Sequence, residues 1–142
     1  MELDRQRRIR AVLDTNVLLG AARHRLLLLA SLGAYQLITS PYILAEVHQT
    51  MLRLGWSQAG ADALMQVIRR EAELVDEQTI TGGNYDVWLR GPKDHPIMAT
   101  ALAGKADYLV TQNVKDFPPK LRFAGTTIVT PDAFFCLLEP NL

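Results

Sequence analysis

Asp14 is the residue around which chemistry can be built. It falls between the apolar residues Ile9, Ala11, Val12 and Leu13 and a second apolar run that begins at Val17. Burying an unpaired carboxylate is costly, so a fold that keeps one there neutralises it, hydrogen-bonds it or gives it a metal. A strand, then the acid, then a helix places Asp14 at the carboxyl end of the first strand. That end is where open α/β sheets bind ligands.

Three further acids have a comparable placement. Glu46 flanks the apolar stripe of Ile43, Val47, Met51 and Leu54, with Leu44 beside it, one turn into the helix after the second strand. A solvated helix acid would read the same way. Asp94 stands at the N-cap of a helix whose apolar face carries Ile97, Ala101 and Leu102, and a capping role alone would account for it. Asp116 follows a late strand through the polar turn Gln112-Asn113-Val114-Lys115, where an ordinary turn aspartate also fits. Glu71, Glu73, Asp76, Glu77, Asp86, Asp107, Asp132 and Glu139 have no such placement, and most are expected to be solvated.

Carboxylates that converge at a sheet top cannot all stay ionised without a cation. Hard oxygen ligands with no clustered Cys or His select Mg²⁺ or Mn²⁺ over Zn²⁺. Thr15, Asn16, Thr111 and Asn113 are uncharged hydrogen-bonders able to orient a water or a phosphate. The chemistry implied is metal-assisted phosphodiester hydrolysis with no protein nucleophile.

The elements that must position these residues alternate along the chain. Strands are expected at Ile9–Leu13, Tyr35–Thr39, Glu73–Asp76, Asp107–Thr111 and Thr126–Val129. Helices are expected over most of Val17–Leu32, then Pro41–Leu54, Ser57–Ala72, Asp94–Gly104 and Asp132–Leu138. Ser40-Pro41 and Thr130-Pro131 are cap-plus-proline openings. Residues 77–93 read as a loop, with Gly82-Gly83 and Gly91-Pro92. This alternation implies a three-layer α/β/α sandwich around a mainly parallel sheet. The length of 142 residues suits one domain, spanning 1–142 with a basic tail at 1–8.

Lys+Arg equals Asp+Glu at 15 each, which argues against binding nucleic acid by bulk charge. The first ten residues carry Arg5, Arg7, Arg8 and Arg10 against Glu2 and Asp4. That run is either a solvated tail or a local phosphate-binding patch formed by residues such as Arg7, Arg8 and Arg10. The single cysteine, Cys136, excludes an intrachain disulfide and fits a reducing compartment. Among Phe134, Phe135, Leu137 and Leu138 it is expected to be a small core hydrophobe. The amino terminus is too polar for a signal peptide, and Leu26–Ala30 is too short to cross a membrane. A soluble cytoplasmic protein is expected.

Four stretches, VLDTNVLL from Val12, LAEV from Leu44, KDHPIMATAL from Lys93 and ADYLVTQNVKDFP from Ala106, resemble PIN-domain ribonucleases in this order. Among these the chain looks most like VapC-like toxins of type II toxin–antitoxin pairs, and the terminal TPDAFF from Thr130 is also similar. The resemblance implies strand order 3-2-1-4-5 and Mg²⁺- or Mn²⁺-dependent endoribonuclease activity on RNA. It further implies a homodimer and a protein antitoxin. The family's acids fall on Asp14, Glu46 and Asp94, with Asp14, Asp94 and Asp116 as metal ligands. Many relatives have Asp where this chain has Asn113, so the fourth catalytic role passes to Asp116 and the number of metals, one or two, is open. Gly91 also departs from the pattern, and the 77–93 loop has no assigned counterpart.

Rival readings fit less well. A haloacid dehalogenase phosphatase needs a second Asp two residues after the first, where this chain has Asn16. A response-regulator receiver needs an acid pair before its phosphorylated Asp, which is missing. A catalytically weak or inactive PIN-fold binding or scaffold module remains the alternative. Its mark would be loss of an acid, and Asp14, Glu46 and Asp94 are all present.

Overall fold

The computed structural model describes residues 8–79, 94–113, 122–123 and 125–141, and the side chains of all of these but 94, 95, 122, 123 and 141. The sheet begins with β1 (Arg10–Leu13), an apolar strand whose Ala11, Val12 and Leu13 are fully buried. A run without polar alternation suits a strand covered on both faces. Two helices follow, α1 (Thr15–Leu19) and α2 (Arg23–Ser31), then β2 (Gln36–Thr39). Next come α3 (Pro41–Arg53), α4 (Gln58–Glu71) and β3 (Ala72–Leu74). The remaining elements are α5 (Asp94–Ala103), β4 (Tyr108–Val110), β5 (Arg122–Phe123), β6 (Thr126–Val129) and α6 (Pro131–Leu138).

Five strands are parallel and lie in the order β3-β2-β1-β4-β6. Counted along the chain, that is the 3-2-1-4-5 order of the resemblance. The structure adds β5, a two-residue strand that pairs antiparallel with β6 at the edge. Two residues are too few to leave a hydrophobic period, which is why the sequence does not announce it.

Helices cover both faces. The Tyr35 hydroxyl donates to the Leu26 carbonyl of α2 at 2.8 Å, and its ring meets Phe134 of α6 edge-on at 5.0 Å. Residue 38 is of opposite strand parity, so Ile38 faces the other side. There Gly104, just after α5, comes so close that an added Cβ would lie 2.6 Å from Ile38 Cγ2. Among the described residues no helix is long and apolar enough to cross a membrane.

The caps are as the sequence implies. Ser40 and Thr130 accept from the N–H groups of Ile43 and Ala133, each with proline at the first helical position, and Ser57 accepts from Gly60.

Four expectations need correction. The expected helix over Val17–Leu32 is two helices. The backbone turns extended at Gly20 and the chain breaks there before α2; a Cβ in that turn would meet the Asn16 carbonyl oxygen at 2.8 Å, so the break takes glycine. The third strand lies one residue earlier than Glu73–Asp76 and ends at Leu74. Cys136 is exposed, because α6 turns Phe134 and Leu138 inward and the residue between them outward. Glu77 is buried rather than solvated, within a short 3-10 turn (Glu77–Thr79).

Candidate active site

The sheet order reverses at β1. The chain builds β2 and β3 on one side, then returns to lay β4 on the other. A crevice therefore opens between the carboxyl ends of β1 and β4, and such switch points are where α/β sheets bind ligands. Asp14 and Thr111 are the residues that leave those two strands. The Asp14 N–H still donates to the Val110 carbonyl at 3.1 Å, and the Thr111 N–H to that of Val129 at 2.9 Å.

Asp14 is 3% exposed. Its Oδ1 accepts from the Val17 N–H at 2.9 Å, so it is the N-cap of α1. Its Oδ2 accepts from the Thr111 hydroxyl. Thr111 Oγ1 in turn accepts from the Asn113 N–H at 2.9 Å. Burial pushes the Asp14 carboxyl above the usual carboxylate range. The Thr111 and Val17 hydrogen bonds work against that shift, and the nearby Glu46 charge adds to it.

Glu46 reaches the same place from α3. The Thr15 hydroxyl donates to its Oε1, and the Tyr42 hydroxyl donates to Oε2 at 3.2 Å. Thr15 is buried and adjacent to Asp14 in sequence, so one residue joins the two acids. Asn16 is exposed beside them and Asn113 is half-buried.

The other expected residues divide into two groups. Asp94 opens α5, but its side chain lies outside the described residues, as do Asp116, Arg7 and the loop from residue 80 to 93. Arg8 is exposed and donates to the Gln36 side chain at 3.1 Å. Arg10 stands at the amino end of β1, opposite Asp14. Its guanidinium donates to both Glu73 carboxylate oxygens, at 3.0 and 2.8 Å, and to the Gly104 carbonyl, at 3.0 and 2.8 Å. Its backbone N–H donates to Asp107 Oδ2 at 2.9 Å. Its place in the fold is a clamp at the far end of the sheet from the acids.

Tyr42 and Glu77 are contacts that sequence reading missed. Tyr42 precedes Glu46 by one helical turn, a spacing at which side chains meet. Glu77 Oε1 accepts from the Tyr42 N–H at 2.9 Å, and nothing local to Glu77 signals that contact.

Among the described residues no group of three or more His, Cys, Asp or Glu side chains comes together. Asp14 and Glu46 nevertheless form a hard-oxygen pair whose charges repel across a buried crevice. A divalent cation such as Mg²⁺ or Mn²⁺ suits that chemistry, since it would offset the burial that chiefly raises the Asp14 carboxyl and the Glu46 charge that adds to it.

A family model described as a PIN domain matches residues 10–115 of the chain. The fold is similar to that in the crystal structure of VapBC2 from Rickettsia felis bound to a DNA fragment from their promoter. There the TM-score is 0.58 at 18% identity, covering 86% of this chain and 98% of that one. It is also similar to VapBC-1 from nontypeable Haemophilus influenzae, with a TM-score of 0.52 at 18% identity, covering 77% of this chain and 90% of that one. At such identity the likeness is one of fold. No curated protein matches the chain by sequence.

Proposed function

Because the chain belongs to the PIN-domain family, a family of nucleases, we propose that it is a Mg²⁺- or Mn²⁺-dependent endoribonuclease and the toxin of a toxin–antitoxin pair. The observation that carries this reading is the buried Asp14 carboxylate at the switch point, with Glu46 brought beside it by Thr15. A buried carboxylate with a second acid beside it is a burden on stability unless a ligand uses it.

Asp14, Asp94 and Asp116 are the residues that hold the ion in this reading, with Glu46 completing the acid set. A bound divalent cation supplies Lewis-acid charge neutralisation and a more acidic water. The chain's own groups supply orientation. Thr111 fixes the Asp14 carboxylate and Thr15 fixes that of Glu46, so both keep one geometry through turnover. Asn16 and Asn113 offer uncharged donors and acceptors to a phosphate or water at the crevice mouth. Asn113, neutral where many relatives have an acid, lowers the negative charge of the site by one.

The likeness to VapBC structures supports a protein antitoxin as partner. A homodimer and a cytoplasmic location belong to the same reading. Incubation of the purified chain with total RNA and Mn²⁺, against a chelator control, tests it. Discrete cleavage sites that vanish with chelator and with Asp14→Asn are expected. Intact RNA with Mn²⁺, or cleavage unchanged in Asp14→Asn, overturns it.

A further inference from the structure

Glu46 is held at both carboxylate oxygens, and the two holds come from different elements. Thr15 belongs to α1 and follows Asp14, while Tyr42 belongs to the first turn of α3 itself. We propose that Tyr42 is a positioning residue, whose hydroxyl fixes the Glu46 carboxylate so that it joins Asp14, Asp94 and Asp116 in holding the ion, and whose backbone is in turn anchored by Glu77. This rests on the metal-dependent reading above.

Three features support the assignment. The first is the chemistry of the donors. Thr15 and Tyr42 offer neutral hydroxyls, so they orient Glu46 without cancelling its charge, as an arginine or lysine would. Each carboxylate oxygen has two lone pairs, and each hydroxyl occupies one. An oxygen on either side therefore retains capacity for a cation.

The second is how Tyr42 is held. Its N–H lies in the first turn of α3, where backbone donors have no partner within the helix. Glu77 supplies that partner at 2.9 Å from the turn that follows β3. Glu77 is 8% exposed, and the contact it makes is part-buried. A carboxylate at a helix amino terminus also meets the favourable end of the helix dipole. Ser40 caps the same turn through Ile43, and the Thr100 hydroxyl of α5 donates to Ser40 Oγ at 2.7 Å. The first turn of α3 is thus fixed by two other parts of the chain.

The third is the spacing. Tyr42 and Glu46 stand four residues apart on one helix, so the ring cannot drift from the carboxylate while α3 is formed. The hydroxyl adds direction to a contact the helix already guarantees in distance.

Tyr42→Phe removes the hydroxyl and keeps the ring. Mn²⁺ binding, followed by electron paramagnetic resonance on the purified full chain, is expected to weaken about 10- to 100-fold, the size usual for losing a partner of a metal ligand. The Mn²⁺-dependent kcat on RNA should fall with it, with KM for RNA unchanged. On a Glu46→Gln background the same substitution should add no further loss. Glu77→Ala should weaken Mn²⁺ binding in the same direction, and Glu77→Gln, which keeps an acceptor for the Tyr42 N–H, should restore it. Unchanged Mn²⁺ affinity in Tyr42→Phe, or an equal loss on both backgrounds, overturns the role.

A double-mutant cycle of Tyr42→Phe and Glu46→Gln in urea unfolding, without metal, separates the two failures. Coupling between the residues is expected there whether or not RNA is cleaved, and additive effects overturn the assignment. A wild-type chain that binds Mn²⁺ but cleaves no RNA counts against the nuclease reading alone.

Discussion

The Thr111 hydroxyl donates to the Asp14 carboxylate across the junction of β4 and β1, and the Asn113 N–H donates to that same Thr111 oxygen. The acid is therefore oriented from β4, the neighbour that flanks β1 on the side away from β2. Its other oxygen is occupied by the first turn of α1. One carboxylate serves helix, sheet and crevice together.

Asp14→Asn keeps an acceptor for the Val17 N–H and removes the charge. Cleavage by this variant is expected to fall by more than about 100-fold, beyond what loss of a supporting partner costs. Asp94→Asn should fall comparably, because its ion-holding role is the same in the proposed site. Single-turnover cleavage at saturating Mn²⁺, with circular dichroism to verify the fold, checks both.

The pH dependence of stability follows from the direction of the Asp14 shift. Its carboxyl titrates higher in the folded chain than unfolded, chiefly because it is buried. The folded state then holds its proton more tightly. Metal-free stability is favoured below the unfolded value and declines as pH rises through the raised folded value. Asp14→Asn should lose this decline and be the more stable chain at neutral pH without metal. Urea unfolding of both proteins across acidic to neutral pH, with and without Mg²⁺, measures it. Added Mg²⁺ should narrow the gap by stabilising the parent.

Arg10→Ala should cost about 1–2 kcal/mol of stability and leave RNA cleavage intact at permissive temperature. Most of that comes from the Gly104 carbonyl, since Glu73 is half in solvent and an exposed pair contributes little. Arg10 holds the Glu73 carboxyl below the usual carboxylate range through its hydrogen bond. That share of stability is present above the unfolded value and is lost as pH falls through the folded one. Thermal melts of Arg10→Ala and Arg10→Lys, with cleavage assays alongside, resolve clamp from RNA contact.

Gly104→Ala should destabilise by about 1–3 kcal/mol, because the new methyl meets Ile38 Cγ2 and the end of α5 must retreat. Ile38→Ala should cost less on that background than on the parent. Equal costs in the two backgrounds would deny that Ile38 is what the methyl strikes.

Much of the fold is legible in local sequence. The apolar strands, the three serine or threonine caps and the mainly parallel sheet follow from short patterns such as Ile9–Leu13, Ser40-Pro41, Ser57 and Thr130-Pro131 and from their alternation, while the strand order follows from the resemblance. Asp14 stands out because it interrupts an apolar run, and Glu46 because of its angle to a stripe. What failed depends on contacts distant in sequence. Gly20 ends a helix that composition favours, in an extended turn where a side chain would strike the Asn16 carbonyl and only glycine fits. Glu77 looks solvated until the first turn of α3 arrives to use it. Cys136 has apolar neighbours in sequence but the wrong angle on its helix. Apart from these corrections, Arg10 reads as part of a basic cluster, and its bonds to Glu73 and Gly104 also come from distant parts of the chain.

Thr111 lies 97 residues beyond Asp14, and β4 beside β1 is what brings them together. Closing so long a loop is slow and costly in chain entropy. During synthesis, a chain that has emerged only as far as β3 carries Asp14, Thr15, Tyr42 and Glu46 but has no far wall to its crevice. The order of strands thus acts as a timer. Asp14 and Glu46 are made early, and the pocket that gives them an environment closes only when the last third of the chain is free to fold.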